Sequence, residues 1–317
     1  MRPRSPLYVI TAISNPVRYK SRYRLYQDFA KRVADQGATL ITVEVAFGDR
    51  EHSVTQRDDP RHVQLRTWDE IWIKENALNV GVEYLSQLDP DWQYVAWVDA
   101  DVTFARPDWA AETVEQMQHY MVVQMFSKAH DLGPNEEIFD TYNGFVWSYR
   151  NRLLDGPIGT CPSKYMTGWH PGYGWAWRRE AVDAVRWLDV AILGSGDQHM
   201  ARALIGRGRD SINPGMHPNY LAAVDRFQEL AERHIRRDVG YVEGSVLHHW
   251  HGRKRSRGYL DRWKILRDLR YDPHRDIKRD AQGLYQLVDH GDVRSIELRD
   301  QIRGYFRSRN EDSIDVA

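Results

Sequence analysis

The sequence predicts an α/β protein: a mixed, mostly parallel sheet flanked by helices, followed by a helical C-terminal extension. Three observations lead there. Strand-like and helix-like segments alternate through the first half of the chain, the pattern of a parallel sheet with crossover helices. A chain of 317 residues with 42% hydrophobic content can bury a large core. Beyond Ser256 the stretch RGYLDRWKILRDLR sets Tyr259, Trp263 and Leu266 at helical spacing, and the tail after it reads as mostly helical and polar.

Taken in order, LYVITAI (7–13) is a buried strand and YRLYQDFAKRVADQG (23–37) a helix stopped by Gly37. ATLITVEVAFG (38–48) and HVQLRT (62–67) are the second and third strands. TWDEIWIKENALNVGVEYL (67–85) reads as a helix, because Thr67 and Glu70 have capping-box spacing and Ile71, Leu78, Val82 and Leu85 share a face. YVAWV (94–98) is the fourth strand. Further on, VVQMFS (122–127), GYGWAWRRE (172–180) and VEGSVLHHWHG (242–252) look like strands, AVDAVRWL (181–188) and DQHMARALIG (197–206) like helices. No internal repeat or long linker interrupts the chain. The expected division is a domain over residues 1–255 with residues 256–317 packed on it.

Composition narrows the function. With 44 basic against 45 acidic residues, no global field announces a nucleic-acid or membrane partner. The charge is uneven, however: residues 248–280 hold 11 Lys and Arg against 5 Asp and Glu, a local basic surface. The single cysteine, Cys161, rules out an internal disulfide and a cysteine-based zinc site, so any metal must use oxygen or nitrogen ligands. No apolar run is long enough for a signal-peptide core or a bilayer span, and the chain is expected to be soluble and intracellular. Twelve Trp and 17 Tyr suit core packing, and equally aromatic platforms for sugar rings or bases.

The fourth strand ends on VDADV, with Asp99 and Asp101 one residue apart. Ligands of open parallel sheets gather outside the carboxyl ends of the strands. Two carboxylates there repel unless a cation compensates, and oxygen donors suit Mg²⁺ or Mn²⁺. The plainer reading has one aspartate capping a turn and the other paired with Arg106. Lys74 places a positive charge near the same loops, although a lysine on a helix face is ordinarily solvated. In GSGDQHMARALIG (194–206), Ser195 or Asp197 can simply cap a helix. Alternatively the flanking glycines bring the backbone close to a ligand and leave Asp197 to act as a base. LHHWHGRKRSRGY (247–259) holds three histidines in four positions. On a strand His249 and His251 point to one face and His248 to the other, so a single metal would be met by one of the two sets, unless the histidines are simply buried structural ones. Arg253, Lys254, Arg255 and Arg257 then suit phosphate, unless they form a solvated basic loop.

Together these residues resemble the GT-A (Rossmann-like) nucleotide-sugar glycosyltransferases, with motifs similar to the beta-1,4-galactosyltransferase family. The resemblance is carried by Trp72, Lys74 and Asn76 through ALNVG (77–81), set ahead of VDADV, and by GYGWAWRREAVDAV followed by GSGDQHM. It implies that Lys74 stands where the family's arginine contacts the donor nucleotide, and that Asp197 takes the place of the catalytic base. It also implies that Ser14, Asn15 and Arg18, in the loop after the first strand, lie where such enzymes hold the nucleotide. HHWHG and the basic run are similar to a C-terminal metal histidine and phosphate-binding loop. The chain departs from the family in having Lys at 74, GSGDQH where W-G-W-G-x-E-D is usual, and no disulfides or membrane anchor.

What the resemblance implies is a hexosyltransferase that moves a sugar from a nucleoside-diphosphate donor, UDP by analogy, to an acceptor hydroxyl with inversion. Asp101 and Asp99 would bind Mn²⁺ or Mg²⁺, with His249 and His251, or His248, completing the ligands, and Arg253, Lys254 or Arg257 neutralising the leaving diphosphate. Asp99 and Lys74 would also contact the donor. The acceptor is a glycan, a protein, a small-molecule hydroxyl or a hydroxymethylated base in DNA. Two rivals stand beside this. DADVT resembles the D-x-D-x-T nucleophile motif of haloacid-dehalogenase-type phosphohydrolases, with Asp99 phosphorylated, although that motif normally follows the first strand. A nucleic-acid-binding module would use residues 253–279 as its basic patch, which steep salt dependence of DNA binding would reveal.

Overall fold

A computed structural model describes residues 6–154, 168–258 and 261–315. Cys161 and Tyr259 lie outside the described residues. The first part alternates as the sequence predicts: β1 (Leu7–Ser14), α1 (Lys20–Asp35), β2 (Thr39–Phe47), β3 (His62–Thr67), α2 (Lys74–Leu88) and β4 (Tyr94–Val98). The middle part runs β5 (Val102–Phe104), α3 (Trp109–Gln116), β6 (Val122–Gln124), β7 (Lys128–Leu132), β8 (Ile138–Gly144), α4 (Phe145–Arg150), β9 (Trp169–His170), β10 (Gly174–Arg178), α5 (Arg179–Val185) and α6 (Gly196–Leu204). There follow α7 (Pro218–His234), β11 (Val239–Tyr241) and β12 (Ser245–His248), and finally α8 (Asp261–Asp268), β13 (Ile277–Arg279), β14 (Tyr285–Leu287) and α9 (Val293–Ser308).

The architecture is α/β. A seven-stranded sheet runs in the order β11-β6-β10-β4-β1-β2-β3 and is parallel except for β10, which opposes both β4 and β6. Its strands alternate between two cores, as a pleat of period two requires. Ile10, Val95 and Trp97 face the layer holding Leu78, Val82 and Leu85 of α2, while Leu7, Val9, Ala96 and Val98 face Phe29 and Val33 of α1 and Trp109 of α3. Gly81 lets α2 lie directly on the sheet, because a Cβ there would stand 2.7 Å from Ile10 Cγ2 and 2.9 Å from Val43 Cγ2. From β1 the chain first works outward to β2 and β3, then returns to place β4 on the other side of β1. Loops leaving β1 and β4 therefore diverge, and a crevice opens between them.

A second sheet, ordered β5-β12-β7-β8-β9, stands beside that crevice, and β13 and β14 form a hairpin. The C-terminal extension is helical in α8 and α9 as expected, and the hairpin is inserted between them: Asp280 and Gly283 supply a tight turn between two short extended segments. The helix expected from Thr67 also starts later, at Lys74. Thr67 ends β3, its hydroxyl accepts from Asp69 N–H at 3.1 Å and pairs with Gln286, so no capping box forms. Residues 68–73 instead cross beneath the cleft, with Ile71 and Ile73 buried and Trp72 N–H bonded to Ile192 O at 2.8 Å.

Candidate functional site

A cleft of roughly 980 Å³ opens outside the carboxyl ends of β1 and β4, with Ser14 at one margin and Asp99 and Asp101 at its floor. The two aspartates are divided. Asp99 accepts a hydrogen bond from Lys74 Nζ at 2.8 Å, and the same ammonium lies 4.5 Å above the Trp97 ring and 3.9 Å from Glu75. Burial works against the charge of Lys74, yet Asp99, Glu75 and Asp197 outweigh it and hold the ammonium above its usual range. Lys74 is the first residue of α2, so its position is fixed by the helix start rather than by a flexible face.

Asp101 faces the other way, toward two histidines. Strand pairing explains how they meet: β12 lies between β5 and β7, setting His248 opposite Val102 and Asp131. His248 donates from Nδ1 to Asp131 Oδ1 at 2.8 Å, since an ionised carboxylate can only accept. Its Nε2 is thereby left with a lone pair. Burial lowers the pKa of His248, against the pull of Asp131 and Asp101. The chain then turns back after the strand, bringing His251 Nε2 to 3.1 Å from His248 Nε2 and 3.0 Å from Asp101 Oδ2. These three ligand atoms lie within 4.8 Å of one another. Burial works against the charge of Asp101, but the hydrogen bond from His251 and the nearby His248 ring and Arg257 guanidinium hold its carboxyl far below the usual range. Its Oδ1 is buried and makes no hydrogen bond among the described residues.

A carboxylate whose buried Oδ1 is orphaned, together with two imidazoles, fits a divalent cation. His251 Nε2 meets Asp101, His248 and the Arg257 guanidinium, while Nδ1 is buried without a hydrogen-bond partner. Asp131 orients His248 from behind, as second-layer carboxylates do for metal-bound histidines. Asp131 also meets Lys254 Nζ and accepts from Tyr173 OH at 2.7 Å, so its own charge is fully engaged. Arg257 is buried at the cleft wall with one guanidinium nitrogen 3.1 Å from His251.

Other expected residues fall in different places. His249 does not share the cluster: β12 ends at His248, the strand alternation stops, and the His249 ring bonds Thr103 Oγ1 at 2.7 Å. Asp99 likewise stands with Lys74 rather than with the imidazoles. Asn15 is buried and clamps its own loop, donating to Tyr19 O at 2.9 Å and accepting from Tyr19 N at 3.0 Å, while Arg18 occupies the left-handed region and does not line the cleft. Arg253 turns toward Asp315. The basic segment is therefore no uniform patch, for Arg257 and Arg262 turn into the cleft while Lys264, Arg267, Arg275 and Arg279 each face a carboxylate.

Asp197 lines the cleft in the first turn of α6. Ser195 occupies the cap position with φ +81°, but its hydroxyl receives Arg262 instead of capping the helix. The glycine at 196 admits a protein carboxylate: a Cβ there would stand 2.8 Å from Glu75. Glu75, buried beside Lys74 and bonded by Trp72 Nε1 at 3.2 Å, was missed by the sequence reading. Burial pushes its pKa up to about 7, against the pull of Lys74. Its signal was an acidic residue on the same helix face as Leu78 and Val82. Asp131, Arg262, Arg309 and Glu311 were also missed, and nothing in their local sequence marks them.

No protein-family model and no curated protein matches the chain. Among solved structures, it resembles a crystal structure from Desulfovibrio desulfuricans G20 provisionally named a nucleotide-diphospho-sugar transferase, at 12% identity and a TM-score of 0.34 over 99% of each chain. No helix among the described residues is long and apolar enough to cross a membrane.

Proposed function

We propose that the cleft is the active site of a metal-dependent glycosyltransferase of GT-A type that takes a sugar from a nucleoside diphosphate and delivers it to an acceptor hydroxyl. One observation carries this reading. Asp101, His248 and His251 converge at the switch point of a mostly parallel sheet, beside Arg257 and Lys254. Their mixed donor set favours Mn²⁺ over Mg²⁺, whose preference is for oxygen. A bound divalent ion would supply Lewis-acid stabilisation of the departing diphosphate.

The chain's own residues do the rest. Arg257 and Lys254 stand where the diphosphate's remaining charge would accumulate, and both are fixed before reaction, which makes their stabilisation effective. Burial raises the pKa of Asp99 against the pull of Lys74, and the hydrogen-bonded pair stands at the crevice, where it can receive the donor's ribose and phosphate; UDP is the donor nucleotide that the motif resemblance favours. Ser14, at the end of β1, borders the nucleotide end of the cleft. Asp197, carried on α6 across the same cleft, accepts the proton of the acceptor hydroxyl as the sugar C1 is attacked, with inversion. Trp72 is a partly exposed aromatic side chain on the wall against which a sugar ring can rest, whereas Tyr173 is stacked between His170 and His248.

The test is a screen of nucleotide-sugars for Mn²⁺-dependent hydrolysis or transfer, comparing the parent with Asp101→Ala. Turnover by the parent that disappears in the variant is expected. Equal turnover by both would overturn the assignment.

A further inference from the structure

The segment after α9 returns across the whole molecule to the histidine cluster. Gly252 permits this, since a Cβ there would stand 2.6 Å from Asn310 O and 2.9 Å from Glu311 Cα. Trp250 Nε1 donates to Ser313 O at 2.7 Å, and Asp312 ties the same segment to the start of α1: its carboxylate accepts from Lys20 N at 2.9 Å and Ser21 N at 2.8 Å. Tyr19, at the cap position of α1, offers that helix no side-chain acceptor of its own, so Asp312 supplies one from nearly 300 residues away.

Between those anchors Glu311 is driven inward until its side chain has no exposure. Arg22 grips its carboxylate through two nitrogens and Arg309 through Nε, and the oxygen facing the cluster, Oε2, lies 3.7 Å from His251 Nδ1. That nitrogen is the one left without a hydrogen bond. When His251 gives its Nε2 lone pair to a cation, its remaining proton must reside on Nδ1, and Glu311 is the carboxylate the described structure sets before it.

We propose that Glu311 is a positioning residue that orients His251 for metal binding, the counterpart of Asp131 behind His248, and that the segment 309–315 thereby completes the metal site. The proposal rests on the metal reading of the cluster. It goes beyond that reading by making affinity depend on a residue that touches neither metal nor substrate. The competing role for Glu311 is a counter-charge for Arg22 and Arg309 alone.

Mn²⁺ binding to the full chain, followed by electron paramagnetic resonance, separates these roles. Glu311→Gln keeps the side-chain shape and removes its charge. Glu311→Asp keeps the charge between the two arginines but withdraws the carboxylate from His251 by one methylene. Positioning predicts that both variants bind Mn²⁺ about tenfold or more weakly, with an altered spectrum of the bound ion, and that Glu311→Asp melts at the parent temperature. Should Glu311→Gln fail to fold, the aspartate variant decides. Parent-like affinity in Glu311→Asp overturns the proposal and leaves the metal site standing, whereas absence of Mn²⁺ binding by the parent overturns the metal reading itself.

Discussion

Asp131 accepts the Nδ1–H of His248, with Nδ1 and Oδ1 2.8 Å apart, and so fixes which nitrogen of that ring carries the lone pair. Replacing Asp131 by Asn removes the charge but keeps the shape. The Kd for Mn²⁺ is expected to rise about 10- to 100-fold, the usual effect of losing a carboxylate behind a metal-bound histidine. Isothermal titration of Mn²⁺ into the variant checks this, and an unchanged Kd would remove His248 from the ligand set.

Lys74 and Asp99 form an ion pair that is largely withdrawn from water. Lys74→Met should strand the aspartate and destabilise the fold by about 3 kcal/mol, as breaking one half of a desolvated pair commonly does. The double variant Lys74→Met with Asp99→Asn should recover much of that loss. Urea denaturation of the four proteins closes the cycle, and additive losses would mean the two side chains do not interact.

His199 is buried between Ser211 Oγ at 2.6 Å and Tyr220 OH at 2.9 Å, and burial pushes its pKa down to about 3. The unfolded chain, with an ordinary histidine near 6.5, takes up a proton first as pH falls. The contribution to stability is therefore complete above pH 6.5 and is lost progressively down to pH 3, at about 1.4 kcal/mol per pH unit. His199→Gln should flatten the decline by about one proton. Unfolding free energies measured between pH 7 and 4.5 test it, and parallel slopes would refute it.

Glycine-to-alanine substitution should have opposite signs at two helical positions. At Gly81 the added methyl group meets Ile10 and Val43, and overpacking of about 1–3 kcal/mol exceeds the helix-propensity gain of about 1 kcal/mol. At Gly304, within α9, nothing lies within 4 Å, so only the gain remains. Thermal melting should show Gly81→Ala less stable and Gly304→Ala more stable than the parent. The same direction for both would contradict the packing of α2 on the sheet.

The first half of the fold was readable because each strand and helix there carries its own period: β1, β2, β3 and β4 fall within a residue or two of their apolar runs. Where the pattern misled, a distant partner had intervened. Thr67 has the spacing of a capping box yet its hydroxyl serves Asp69 and Gln286, the latter on a hairpin that the polar tail gave no hint of. In the site, Asp101 was legible as a charge at the end of a buried strand, and so was the histidine cluster. Which histidine turns inward was not, because it depends on where β12 stops. Asp131 and Glu311 reach the cluster only through sheet pairing and through a contact spanning most of the chain, neither of which leaves a local trace.

The lacing of residues 309–315 onto Gly252, Trp250 and the start of α1 also sets an order of events. These residues leave the ribosome after every element on which they pack, so Arg22 and His251 are both made before the side chain that joins them. A nascent chain can therefore assemble the sheet before Glu311 reaches the histidine cluster, and the surroundings of His251 are completed later than the fold that carries them.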